Sequence, residues 1–443
     1  MLQRYLGNKS SLSDEIVRLV REVAPTGARV CDAFSGSLAV SFALKRAGFQ
    51  VASNDINILS WIYATAYLAN NTLPAIDLKE LVGDKKSNIF IAEGMRGSDC
   101  SDYVNSVWKD VVSFKGLCAW AGLIKNMFEP YSAGEFSKKE RRTDFFSHYC
   151  EEGSKSNFLS SRGSSGKRRY LSPENASALD RAMTRVRVWF RNGVIDENSR
   201  CILTACVLDA VEKVANIQGT YHDFPRTFYD PRALKTISAK LPDPEVLLTG
   251  PVSDSIGKAQ DSLEFVKTVP QHSVLYLDPP YNFRQYTSYY FLPNLIAQYP
   301  DIDNLDEYFS QIKFVRGQNM ESEFKSSFCS SSEFISSLQT LVERASCEYV
   351  MLSYFNGKNH WNDFKSGTDN RGREELERFF SSDMFERDSL TLLPVDRLNY
   401  QSYGGHKALQ VSEYLFVAKK TKPKHAAISK LIVDRSSEIC LSI

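Results

Sequence analysis

An α/β fold, with a doubly wound, parallel-type sheet built from both ends of the chain and a mainly helical domain inserted between them, is what the 443 residues predict. Three observations carry this. The first 70 or so residues alternate short apolar strands with helices. From about Thr72 to Asp243 the alternation gives way to helix and polar loop, and short apolar strands then return from Ser273 onward. A chain of this length is expected to divide, because single cores stop growing at about 250 to 300 residues. The boundaries read as 1–70 and 245–420 for the sheet-bearing domain, 72–243 for the insertion and 421–443 for a C-terminal tail.

The elements follow in order. Arg29 to Phe34 is short and apolar, Ser35-Gly36-Ser37 breaks it, Leu38 to Ala47 has helical character, and Gly48 stops that helix. Phe49 to Ser53 is a second strand ending at Asn54-Asp55, and Ile58 to Ala69 is helical. In the insertion, Ser172 caps a helix with Pro173 at its first position and apolar residues at Ala176, Leu179, Met183, Val186 and Phe190. A second helix spans Asp196 to Ala215. Ser154 to Gly166 is rich in Ser and Gly and reads as a mobile loop. The later strands are Ser273–Leu277, Cys347–Leu352, Ser389–Pro394 and Glu413–Ala418.

Composition narrows the class. The 54 Lys and Arg nearly balance the 53 Asp and Glu, so no global field favours an anionic partner. The apolar runs fall far short of the roughly 20 residues that cross a bilayer, and Met1 to Glu15 lacks the apolar core of a secretory signal. A cytoplasmic chain without a membrane segment is expected. Nine cysteines without a Cys-x-x-Cys pair or a Cys/His cluster predict neither a disulfide framework nor a metal site. Charge is nevertheless uneven. Nine basic residues stand against four acidic ones between Ser137 and Tyr170, a local charge of +5 and a candidate anion-facing surface.

The strongest chemical signal is Asp278-Pro279-Pro280-Tyr281, directly after an apolar strand. Ligands of open α/β sheets bind beyond the carboxyl ends of the strands, where this tetrapeptide falls. Two prolines hold the loop rigid and leave carbonyl oxygens free to accept. The aspartate adds an acceptor and the tyrosine a flat ring, together suited to the exocyclic amine of a planar base swung out of its stack. Asp32-Ala33-Phe34-Ser35-Gly36-Ser37 follows the first strand, and Asp55 follows the second. A glycine in a strand-to-helix turn admits a ligand to the backbone, and an acid after the second strand suits ribose hydroxyls. The Gly-x-Gly-x-x-Gly pattern of dinucleotide enzymes is absent. Lys9, beside Gly7 near the start of the chain, could reach a carboxylate or a phosphate.

In that order, YLGNKSSL (Tyr5–Leu12), DAFSGS (Asp32–Ser37), an insertion and DPPY, the chain resembles the Dam-like, α-group DNA adenine-N6 methyltransferases, including those that accompany type II restriction systems. The resemblance spans roughly residues 1 to 70 and 245 to 420, and implies a Rossmann-like methyltransferase sheet using S-adenosylmethionine. Lys9 would contact the cofactor carboxylate, with Tyr5 beside it; Asp32, Phe34 and Gly36 would form the loop under its methionine part. Asp55 would hold the ribose and Asp261 lie near the cofactor adenine. Asp278 and the Pro279 carbonyl would accept from the target amine, with Pro280 completing the loop and Tyr281 stacked on the base; Ser353 and Tyr354 would line the same pocket. Where this family often has a second glycine, the chain has Leu38.

The implied partner is double-stranded DNA bound by a monomer, with a cognate restriction endonuclease as a further one. Lys167, Arg168, Arg169, Arg284 and Arg316 are the DNA-contact candidates, together with the Arg181, Arg185 and Arg187 row. Cytosine N4, RNA adenine or a protein amide as acceptor, and a catalytically silent DNA-binding protein, remain open from residues alone.

Overall fold

A computed structural model describes residues 5–422 apart from 102, 161–162, 249, 319–323, 357–358, 362–369 and 399–409. Arg162 of the basic segment and all but the first two residues of the expected tail therefore lie outside the described residues. The strands are β1 (Arg29–Asp32), β2 (Gln50–Ser53), β3 (Asn157–Leu159), β4 (Ser165–Lys167), β5 (His272–Leu277), β6 (Cys347–Phe355), β7 (Thr391–Leu398) and β8 (Gln410–Lys419). Six of them form one sheet in the order β2-β1-β5-β6-β8-β7.

Four strands, β2, β1, β5 and β6, run parallel, with Val30 opposite both Val51 and Val274. At the other edge β8 is antiparallel to β6 and to β7. The expected parallel-type sheet is thus mainly parallel, with the last two strands forming an antiparallel edge, a common arrangement in large α/β folds.

Pleating sends alternate residues of each strand to opposite faces. Val30, Val51, Val274 and Met351 pack with helices α1 (Ser13–Val23) and α2 (Ala39–Arg46). Their neighbours Cys31, Ala52, Leu275 and Val350 pack on the other face with Phe265, Leu338 and Leu376 from the helices Ser262–Thr268, Phe334–Arg344 and Arg371–Phe380. Burial on both faces explains why these strands read as continuous apolar runs.

The insertion is mainly helical, as its pattern suggests. Ser172 accepts from the Asn175 amide at 3.3 Å to cap the helix Pro173–Arg191, and Asp196 accepts from Ser199 at 2.7 Å to cap Glu197–Val214. Leu179, Met183, Leu203 and Val207 of these helices share one buried cluster with Leu59 and Ile62 of α3 (Ile58–Tyr67) and with Leu292 and Ile296 of the helix Phe291–Gln298. The insertion thus rests on the sheet-bearing part through a continuous core.

The serine- and glycine-rich stretch is not the loop expected. Within it β3 and β4 pair antiparallel, with Phe158 opposite Gly166, and the buried Phe158 ring meets Phe224 edge-on. One apolar anchor per strand pair is too little pattern for periodicity to detect.

Candidate active site

The carboxyl ends of β1, β2 and β5 open onto one cavity with about 890 Å³ of open space. It sits between β1 and β5, where connections leave in opposite directions, the usual ligand position of an open α/β sheet. Tyr5, Lys9, Asp32, Phe34, Gly36, Asp55, Asp261, Asp278, Pro279, Pro280 and Tyr281 all line it. Segments as far apart in sequence as those of Tyr5 and Tyr281 are thus brought around one cavity.

Backbone geometry builds the near side. Gly36 adopts φ +49°, and a β-carbon there would stand 2.8 Å from Cε1 of Tyr5. Its amide donates to Asp55 Oδ2 at 2.9 Å, while Asp55 Oδ1 accepts from the Asn57 amide and side chain at 2.8 and 2.9 Å. Burial raises the Asp55 carboxyl against those lowering hydrogen bonds. Leu38, in the place of the missing glycine, takes φ +64° while fully buried. A leucine in the left-handed region stores strain of order 1 to 3 kcal/mol, and the turn keeps its shape at that cost. Tyr5 stacks on Tyr290 with ring centres 4.4 Å apart, and its hydroxyl accepts from Asn57 at 3.0 Å. It is a pillar between the turn and the helix Phe291–Gln298 as well as a lining residue.

Asp32 ends β1 almost wholly buried. Its Oδ2 accepts from the Ser41 hydroxyl at 2.6 Å, whereas Oδ1 is buried with no hydrogen-bond partner. Burial first, then the charges of Asp278 and Asp55, push the carboxyl up to about 7 against the Ser41 and Phe34 hydrogen bonds. An unsatisfied buried acceptor on a cavity-lining residue calls for an explanation, and a donor-bearing ligand is one. Asp261 caps the helix Ser262–Thr268 through the Leu263 amide at 2.9 Å, and Phe34 meets Phe328 edge-on at 5.0 Å. These groups fit S-adenosylmethionine: acids for an ammonium and ribose hydroxyls, an apolar wall, and a turn open to close approach.

The far side holds the DPPY loop. Lys9 is 2% exposed, and its ammonium lies 2.9 Å from Asp278 Oδ1, 3.1 Å from Glu413 Oε1 and 3.3 Å from the Gly7 carbonyl. Burial would push the ammonium down, but the two carboxylates outweigh it and the pKa is raised. Three partners engage all three ammonium hydrogens. Lys9, which the resemblance sets against the cofactor carboxylate, lines the cavity and pairs with Asp278 and Glu413. Tyr281 lies with its ring centre 5.9 Å from that ammonium and 5.3 Å from the Phe355 ring.

The placing of Ser353 and Tyr354 is corrected. Ser353 faces Glu413, donating to it at 2.9 Å, and neither it nor Tyr354 lines the cavity; Tyr354 packs on Phe334 and Trp361 in the buried cluster against which Tyr281 also rests. The ring paired with Tyr281 is that of Phe355. Glu413 itself carried no signal beyond one carboxylate opening an apolar strand.

Of the basic candidates, Arg168 is fully buried. It donates to the carbonyls of Phe314, His148 and Lys155, bracing the hairpin from inside. A side chain so enclosed contacts no phosphate, which corrects its assignment. Arg169 pairs with Glu151. Arg181 and Arg185 do share a face, but both donate to carbonyls of the 126–130 segment, and Arg187 to Tyr299 and Pro300. Lys167 is exposed. Arg284 sits over the Tyr289 ring at 5.8 Å. Arg316 donates to Ser288 at 2.7 Å and to His222 Nε2 at 2.5 Å; burial, then Arg316, lower His222 to about 4.

A family model described as D12 class N6 adenine-specific DNA methyltransferase matches residues 5–91 and 98–350. The chain belongs to that family. As a D12-class enzyme it methylates the N6 amine of adenine in DNA. Among curated relatives, it is 27% identical to the type II methyltransferase M.NlaIII of Neisseria lactamica over 75% of this chain and 90% of that protein. It is 25% identical to the type II methyltransferase M.FokI of Planomicrobium okeanokoites over 94% of this chain and 52% of that protein. The modification methylase LlaI of Lactococcus lactis subsp. lactis is 25% identical over 80% of this chain and 46% of its own length. The D12-class chain thus spans about half the length of two of these relatives. Among its described residues, no helix is long and apolar enough to cross a membrane, and no group of His, Cys, Asp and Glu could hold a metal ion.

Proposed function

We propose that this D12-class methyltransferase takes its methyl group from S-adenosylmethionine and transfers it to an adenine flipped into the cavity beside Asp278 and Tyr281, at specific sites in double-stranded DNA. One observation carries this reading: the acceptor-rich DPPY loop and Asp32, whose buried Oδ1 has no hydrogen-bond partner, line the same cavity.

When bound, the cofactor supplies an electrophilic methyl on a sulfonium. Asp32 and Asp55 would hold its cationic and hydroxyl-bearing parts. The amine of adenine is a weak nucleophile because its lone pair is delocalised into the ring. Asp278 and the Pro279 carbonyl accept its two hydrogens, favouring a tetrahedral nitrogen whose lone pair points toward the methyl. The proton lost from nitrogen passes to solvent. Positioning and electrostatics do the catalytic work. Tyr281 stacks on the extruded base and offsets part of the few kcal/mol that flipping costs.

DNA contact is assigned to Lys167 on the hairpin and to Arg284 and Arg316 beyond the DPPY loop, with the 72–243 segment reading the target. The type II relatives support a place in a restriction–modification system with a cognate endonuclease. Incorporation of labelled methyl groups from S-adenosylmethionine into unmethylated plasmid DNA, followed by nucleoside analysis, tests the reading. N6-methyladenine from the wild type and none from Asp278→Ala is expected; N4-methylcytosine, or no incorporation, would overturn it.

A further inference from the structure

We infer that Glu413 is a positioning residue for methyl transfer: through the Lys9 ammonium it fixes the Asp278 carboxylate in the ionised, oriented form that accepts from the target amine. This rests on the function proposed above.

The geometry is specific. Glu413 is fully buried, and its Oε1 accepts from Lys9 at 3.1 Å and from the Ser353 hydroxyl at 2.9 Å. Lys9 in turn meets Asp278 Oδ1 at 2.9 Å. The three charges come from the N-terminal segment, the DPPY loop and β8. Glu413 pairs across the ladder with Phe355, the ring beside Tyr281. A buried ammonium shared by two carboxylates is held in one place; without Glu413 only Asp278 and the longer contact to the Gly7 carbonyl would restrain its flexible stem. Glu413 stands behind Lys9, does not line the cavity and cannot touch the substrate. Its effect must pass through Lys9. A carboxylate sealed at this depth is hard to explain as a stability device, because burying charge seldom gains net stability over apolar packing.

The test is a double-mutant cycle on the full chain with Glu413→Gln, Lys9→Met and both, using unmethylated plasmid DNA and S-adenosylmethionine. Glu413→Gln keeps the shape and an oxygen to accept from Ser353. It is expected to lower kcat about 10- to 100-fold while KM for DNA, and the cofactor Kd by calorimetry, stay within about threefold. In the Lys9→Met background the same change should lower kcat less than about threefold further. Urea unfolding gives a readout independent of activity: the midpoint should fall with Glu413→Gln alone, and hold or rise once Lys9 is gone and Glu413 has become an uncompensated buried charge. Wild-type kcat in Glu413→Gln, or an equal loss in both backgrounds, would overturn the proposal. Should Glu413→Gln fail to fold, Ser353→Ala serves, with a several-fold loss of kcat at unchanged KM expected and full kcat overturning it. An inactive wild type would instead remove the underlying function, a result distinguishable from all of these.

Discussion

The amide of Gly36 donates to Asp55 Oδ2 at 2.9 Å, so the turn after the first strand and the acid after the second form one unit. Gly36→Ala would drive a β-carbon into the Tyr5 ring and force alanine to positive φ. A destabilisation of about 1 to 3 kcal/mol is expected, with at least about tenfold weaker binding of S-adenosylmethionine. Calorimetry and thermal unfolding check both. Unaltered cofactor affinity would take the turn out of the cofactor site.

Asp278→Asn and Tyr281→Ala should separate chemistry from base capture. The amide keeps the shape of Asp278 but loses its charge, so kcat should fall at least about 100-fold with DNA affinity retained. Tyr281→Ala removes a stacking surface worth about 1 to 3 kcal/mol. Its loss should appear in kcat/KM and in the fluorescence of 2-aminopurine placed at the target position.

The pH dependence of cofactor binding follows from Asp32, raised to about 7 by burial and by its acidic neighbours. A carboxyl whose folded pKa exceeds its unfolded value of about 4 favours the fold fully below that value, and loses this contribution as pH rises through about 7. The cofactor-free protein should therefore lose stability over that window, and Asp32→Asn should lose less. A cationic ligand prefers the ionised form, so S-adenosylmethionine affinity should rise between about pH 6 and 8. A Kd flat across that range would separate Asp32 from the cofactor.

The basic residues are expected to divide by burial. Replacing Lys167 or Arg284 with alanine should each reduce the salt slope of DNA binding by about one. Arg168→Ala should instead destabilise the protein by about 3 kcal/mol or more, because three carbonyls lose a buried donor. A triple change of Lys167, Arg168 and Arg169 would mix the two effects. Salt titrations on the single variants, beside their melting curves, keep them apart.

Local patterns announced much of this molecule. Apolar runs closed by turn residues marked β1, β2, β5 and β6, a capping serine marked the first long helix of the insertion, and a rigid acidic-aromatic loop after a strand marked a wall of the cavity. These depend on residues within a turn or two of one another, so spacing alone reveals them. Distant pairing decided the rest. Because β8 runs antiparallel to β6, its first half reaches the edge where the parallel strands end, and Glu413 arrives beside Lys9; the same carboxylate on a parallel strand would sit at the opposite edge. Burial likewise separated Arg168 from Lys167, one residue apart and identical in charge, because only the folded hairpin determines which side chain points inward. The sequence by itself thus determined where the chemistry sits along the chain. The tertiary structure alone decided which charges meet there, since strand direction and side-chain burial depend on partners far away in sequence.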